Sequence, residues 1–212
     1  MSTPHLTTAS GTVSSADRSG FHAIYDFAHS HPPLQKCAEL WSEYGLSLFV
    51  LLLVFNLWLG YRRGTRQLAA AVTVILAGFV ALGGNNVIKA AVAEARPCQV
   101  DHSVEALGGC PLPGDYSFMS THTVAAASIA IGTLYISRRA GRLACLGTVL
   151  MCASRIMIGM HWPGDVVAGL VFGGVVAAAG QWLLTPLLDR LFILMSGARL
   201  PLVKSSPPDA QR

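Results

Sequence analysis

Three short patches of this chain carry residues able to handle a phosphate group. The third is Ser154-Arg155-Ile156-Met157-Ile158-Gly159-Met160-His161-Trp162-Pro163-Gly164-Asp165. Asp165 stands four residues after His161, and Pro163 suits the first position of a following helix. A carboxylate that close can hold one imidazole nitrogen and leave the other free to attack. The second patch is Ser117-Phe118-Met119-Ser120-Thr121-His122-Thr123, placed where an apolar run begins. Ser120 or Thr121 is a natural helix N-cap. Free N–H groups at a helix start, beside hydroxyls, make an anion site. His122 then falls in the first turn, placed to give or take a proton. The first patch is Lys89 with Arg96, seven residues apart and followed by Pro97. That spacing puts both on one helix face, with Pro97 ending the helix. Each patch alone has a plainer reading: a snorkelling pair of cations, a capped helix, an N-terminal aspartate. Together they assemble a phosphoryl-transfer site. Lys89, Arg96 and Arg155 give fixed positive charge, Ser120 and Thr121 give donors, and two histidines divide nucleophile from acid. Phosphoryl transfer depends mainly on such positioning and charge.

The elements that must position these residues are membrane helices. Of 212 residues, 52% are hydrophobic and 12% charged, against about 25% charged in soluble domains. Charge-free runs cover 44–61, 67–88 and 166–188, each near the roughly 20 residues that span a bilayer. The reading is an all-α, polytopic bundle of about five crossings, at 44–61, 67–91, 121–137, 142–160 and 163–185, the last ending near Pro186. A short amphipathic piece, 187–195, follows it. Residues 21–43 carry two apolar stripes interrupted at His31-Pro32-Pro33. They form an N-terminal amphipathic segment that either lies in the membrane interface or packs on the other helices. Residues 1–20 read as a mobile polar tail, 21–196 as the membrane-embedded domain and 197–212 as a polar C-terminal tail.

Basic residues cluster at Arg62, Arg63 and Arg66 and again at Arg138, Arg139 and Arg142. Positive loops stay in the cytoplasm. The 97–119 loop holds Asp101, Glu105 and Asp115 without Lys or Arg, so it and the His161 turn are expected outside, with Lys204 and Arg212 inside. Cys98 and Cys110 both lie in that outer loop, where thiols can oxidise to a disulfide. A net charge of +4 with no basic stripe points away from nucleic acid. The cysteines show no zinc spacing. No metal and no cofactor are expected, and the partners expected are membrane lipids and a lipid phosphate.

Lys89-x6-Arg96-Pro97, Ser120-x-His122 and Ser154-Arg155-x5-His161-x3-Asp165 resemble the three signature motifs of the type 2 phosphatidic acid phosphatase superfamily. The order and spacing agree, over residues 44–185. The resemblance implies a helical bundle with its site at the outer face of a bacterial inner membrane. It implies that His161 attacks phosphorus to form a phosphohistidine, that Asp165 orients it, and that His122 protonates the leaving group. Lys89, Arg96, Ser120, Thr121 and Arg155 would hold the phosphate. Met119 and Thr121 replace the family's usual Pro and Gly in the second motif. Undecaprenyl-diphosphatases of the superfamily tolerate a polar residue at that Gly position and resemble this chain in size, which favours a polyprenyl diphosphate substrate. Phosphatidate, phosphatidylglycerophosphate and lipid A phosphate are the same-site alternatives. A vanadium-dependent haloperoxidase is the related enzyme, and a non-catalytic transporter is the remaining class.

Overall fold

A computed structural model describes residues 13–197. Among the described residues there are seven helices and no strand: α1 Ser15–His29, α2 Pro32–Arg63, α3 Thr65–Val92, α4 Pro97–Val100, α5 Thr121–Leu134, α6 Arg138–Met157 and α7 Pro163–Gly197. The helical bundle expected from the sequence is therefore what forms. Four stretches are long and apolar enough to cross a membrane, those of α2, α3, α6 and α7; α5 is apolar but shorter, at Thr121–Leu134. The core runs between helices, with Phe49, Val74, Ala126, Ile129, Ala144 and Met151 packed together. Outward faces stay apolar: Leu51, Phe79, Leu143 and Leu194 are all exposed, as a bilayer requires.

Small residues set the closest approach. Gly169 and Gly173 of α7 lie against α5, and a Cβ on Gly169 would stand 3.1 Å from the Ser120 carbonyl oxygen. This contact places the start of α7 beside the start of α5.

Several boundaries differ from the sequence reading. The N-terminal break falls where His31-Pro32-Pro33 put it, but α2 then runs unbroken from Pro32 into the first crossing. Pro32 fits the first helical turn, where its missing N–H is no loss. α1 begins at Ser15, inside the stretch expected to be a tail, because the Ser14 hydroxyl accepts from Asp17 N–H at 3.0 Å. Residues 1–12 and 198–212, including Lys204 and Arg212, lie outside the described residues. Arg138, Arg139 and Arg142 belong to the first turns of α6 and not to a loop. α7 continues through Pro186 to Gly197, joining two elements expected to be separate. A proline inside a membrane helix is tolerated where neighbouring groups make good its lost bond.

α1 packs on protein. It buries Phe21, Tyr25 and Ala28. Phe21 meets Trp162 edge to face, with ring centroids 5.1 Å apart.

Candidate active site

The site forms at one end of the bundle, where α3 and α6 finish and α5 and α7 begin. The expected face-sharing of Lys89 and Arg96 does not hold. α3 stops at Val92, because Ala93 turns left-handed with φ 52°. Arg96 is then extended and opens α4. It reaches the site from the connector, while Lys89 does so from the last turn of α3.

His161 sits in the turn between α6 and α7. Gly159 permits that turn: its φ is +78°, and an added Cβ would come within 3.0 Å of Val104 and 3.2 Å of Tyr25. His161 and Asp165 are each 1% exposed, Arg96 5% and Arg155 7%. Arg96 Nη1 lies 3.2 Å from His161 Nε2. A guanidinium can only donate, so Nε2 is the nitrogen with the free lone pair. Nδ1 then carries the proton, and it points to Asp165 Oδ2 at 3.4 Å. Burial, followed by the charges of Arg155 and Arg96, holds His161 well below the ordinary histidine range. The imidazole is thus neutral, with its lone pair on the side of the cations.

Asp165 is itself fixed. Its Oδ2 accepts from Trp162 N–H at 2.9 Å and from the Ser117 hydroxyl in a short contact. Ser117 also lies 3.4 Å from His161 Nδ1. Asp165 Oδ1 is buried with no donor, and Glu94 is tied to the same region through its backbone carbonyl, which accepts from Ser117 N–H at 2.7 Å.

The three cations lie around His161. Lys89, Arg96 and Arg155, with His122, all lie near enough to act on the charge of His161. Arg96 is braced by Asp115, through Nη2 to Oδ1 at 2.9 Å and Nε to the backbone carbonyl at 3.0 Å. Arg155 Nη1 donates to Ser42 Oγ at 2.6 Å, and its Nε is buried without a partner. His122, Arg155, Ser42 and Met160 line a cavity of about 300 Å³ with Glu39 and Glu43.

Ser120 takes the N-cap position of α5, but its hydroxyl makes no capping bond. That hydroxyl is buried and unpartnered, while its N–H donates to the Asp165 carbonyl at 3.2 Å. Thr121 Oγ1 accepts from Asn85 at 3.0 Å. The arrangement offers an orphaned hydroxyl, a helix start and three cations to an anion, beside a neutral nucleophilic nitrogen.

The 97–119 loop is tied down. Cys98 and Cys110 form a disulfide, with Cα atoms 5.9 Å apart. Gln99 donates to the Pro111 and Leu112 carbonyls at 3.0 and 3.3 Å. From the other side, Asp17 of α1 accepts from Gly164 N–H at 2.7 Å. Burial raises the Asp17 carboxyl above its ordinary range.

Sequence reasoning missed Ser42, Asn85, Glu94 and Asp17 altogether. It quoted Ser117 and Asp115 without giving them a role in the site. Ser117 had a signal, since it lies three residues before Ser120 in the second patch. Ser42 and Asp17 had none, being brought in by tertiary packing alone.

A family model described as the PAP2 superfamily matches residues 66–187. The chain is 31% identical over 159 residues to the undecaprenyl-diphosphatase BcrC of Bacillus subtilis (strain 168), covering 74% of this chain and 78% of that protein. It is 34% identical over 107 residues to a lipid A 1-phosphatase of Rhizobium etli, covering 48% and 43%. In structure it resembles a transmembrane PAP2 type phosphatidylglycerolphosphate phosphatase from Bacillus subtilis, with a TM-score of 0.59 at 21% identity over 79% of this chain and 86% of that one.

Proposed function

We propose that this chain, which belongs to the PAP2 superfamily as an integral membrane lipid-phosphate hydrolase, acts on undecaprenyl diphosphate and releases phosphate from it. The observation that carries the reading is the polarity of His161: Nε2 faces Arg96 and Nδ1 faces Asp165.

In this reading Nε2 attacks the terminal phosphorus. A new P–N bond forms as the bond from phosphorus to the bridging oxygen breaks. His122 gives its proton to that oxygen, and undecaprenyl phosphate leaves. Asp165 stabilises the charge that appears on the imidazole, as an orienting carboxylate does in other histidine-dependent sites. Lys89, Arg96 and Arg155 stabilise the phosphoryl oxygens, together with Ser120 and the Thr121 N–H. Water, deprotonated by His122, then attacks phosphorus and frees His161 as inorganic phosphate forms.

The substrate choice is supported by the BcrC similarity, which covers most of both chains. The extracytoplasmic placement is supported by the basic residues. Arg62, Arg63, Arg66, Arg138, Arg139 and Arg142 all sit at the bundle end opposite His161, and that end should be cytoplasmic. The membrane would be the bacterial inner membrane.

The test is phosphate release by purified protein from undecaprenyl diphosphate, phosphatidate, phosphatidylglycerophosphate and lipid A. Preference for the polyprenyl substrate supports the full reading. Preference for another lipid would keep the hydrolase and discard the substrate. Trapping of radiolabelled phosphate on His161 in acid-quenched protein checks the covalent step, and labelling that survives in a His161→Ala variant would sink it.

A further inference from the structure

A second polar cavity, of about 580 Å³, lies at the opposite end of the bundle. It forms between the start of α3, the end of α5 and the distal part of α7. Arg66, Gln67, Tyr135, Trp182, Asp189 and Arg190 line it. We infer that it is a binding site for the headgroup of a phospholipid carrying a primary amine, of the phosphatidylethanolamine type.

The polar inventory of the cavity is two-sided. Arg66 and Arg190 enter no ion pair among the described residues. Two cations close to a membrane surface call for an anion, and a phosphodiester fits both. Yet Gln67 Oε1 and Asp189 Oδ1 are buried acceptors with no donor. Buried acceptors left unmade are costly. An anion alone cannot satisfy them, and Asp189 would repel it. A cation alone would face the two arginines. A ligand with a phosphate and an N–H-bearing ammonium satisfies all four groups.

The ammonium must carry hydrogens. A quaternary choline offers no N–H to Gln67 or Asp189. A glycerol headgroup offers hydroxyl donors but no positive charge for Asp189. Gln181, which also lines the cavity, is already satisfied internally: its Nε2 donates to the Ala70 carbonyl at 3.0 Å, and its Oε1 accepts from Thr185 at 2.9 Å. The orphaned acceptors therefore mark where the ligand belongs.

The source of the headgroup is the bilayer. Trp182, on the cavity wall, is 77% exposed, with Leu183 at 57% and Leu187 at 63% beside it on α7. Tryptophan at a membrane interface with leucines next to it gives the acyl chains a surface to follow.

The test is native mass spectrometry of the full-length protein released from bilayers of equal parts phosphatidylethanolamine, phosphatidylcholine and phosphatidylglycerol. The ammonium's charge-assisted bonds predict enrichment of retained phosphatidylethanolamine by about tenfold over the other two. Asp189→Asn should bring the ratio back toward that of the bulk bilayer. Arg66→Gln with Arg190→Gln should reduce retention of all three lipids. Phosphate release at the far end should be unchanged in each variant, which separates this site from the hydrolase reading. Free phosphoethanolamine that displaces the lipid at micromolar concentration would make the headgroup's source soluble and overturn the lipid assignment. Lipids retained in bulk proportion by the wild-type protein would overturn the site itself, without recourse to any variant.

Discussion

Breaking the Cys98–Cys110 bond should loosen the active site before it unfolds the bundle. The bond closes a loop with a sequence separation of 12. For a loop of that length, chain entropy gives a stabilisation of about 3 kcal/mol. In a chain of this size such a loss corresponds to a fall of about 10 °C in Tm if it is felt globally. The loop's other ties act near the site. Gln99 holds Pro111 and Leu112, Asp115 braces Arg96, Ser117 N–H donates to the Glu94 carbonyl at 2.7 Å, and Ser117 Oγ holds Asp165. Loss of the bond frees the Asp115 and Ser117 end to move, so Arg96 and Asp165 lose partners together. The assay is thermal inactivation of phosphate release, beside a thermal melt, for oxidised protein and for Cys98→Ser with Cys110→Ser. Inactivation should shift to lower temperature by more than the melt does. Protein with both thiols reduced and alkylated, yet unchanged in both measurements, would refute the argument.

Other perturbations separate the roles at the centre. His161→Ala should abolish phosphate release in protein that still inserts, whereas Asp165→Asn should turn over slowly, because it removes orientation and charge but not the attacking nitrogen; near-normal turnover by the alanine variant would contradict the mechanism. Arg155→Lys should lower kcat/KM by about tenfold or more, since an ammonium cannot hold Ser42 and a phosphate oxygen with one planar fork, and an unchanged value would remove Arg155 from the phosphate site. Activity should persist in excess EDTA, with three cations placed to do the work of a metal ion; complete loss restored by Mg²⁺ or Zn²⁺ would count against this. The rate should follow a bell-shaped pH profile. Stability should fall with acid for a separate reason. His161 is held neutral by burial, so below an unfolded histidine pKa of about 6.5 the unfolded chain takes up a proton that the folded one refuses. His161→Gln should flatten the decline of Tm between neutral and mildly acidic pH, and an unaltered slope would show that His161 is not its source.

What was legible in the sequence was what depends on near neighbours. The step from His161 to Asp165 is one helical turn, Pro163 opens α7, and the two produce the contact between imidazole and carboxylate directly. The apolar runs marked the long helices because a bilayer demands unbroken length. The first motif was legible as a pair of cations but not as a shape. Nothing in Ala93 announces a left-handed residue, so a continuous helix from Lys89 to Arg96 was the natural reading. Pro186 misled in the opposite sense, since its helix-breaking tendency is weaker than the apolar packing on both sides of it. Partners joined over long separations were illegible in principle. Arg155 and Ser42 are 113 residues apart, and Gly164 and Asp17 are 147 apart.

The distribution of charge around His161 explains why so buried a site is tolerable. Burying a cation without a partner is costly, and membrane proteins place such groups only where function requires. Arg96 has one carboxylate partner, Asp115, which is itself 53% exposed. Arg155 has only a serine hydroxyl for its Nη1 and nothing for its Nε. Asp165 is close by, but its Oδ2 is committed to Trp162, Ser117 and His161. The protein therefore leaves an excess of positive charge beside one neutral nitrogen. The cost is met by rigidity supplied from both flanks: α1 seats Phe21 on Trp162 and Asp17 on Gly164, while the 97–119 loop supplies Asp115 and Ser117. A phosphoryl group entering this centre finds its charge compensation already oriented, so little reorganisation is needed as charge develops on its oxygens. The same excess discriminates against neutral ligands, which leave the guanidinium groups unanswered. Charge that is expensive to bury is thus what makes an anionic lipid head, and not its hydrocarbon tail, the feature the centre selects.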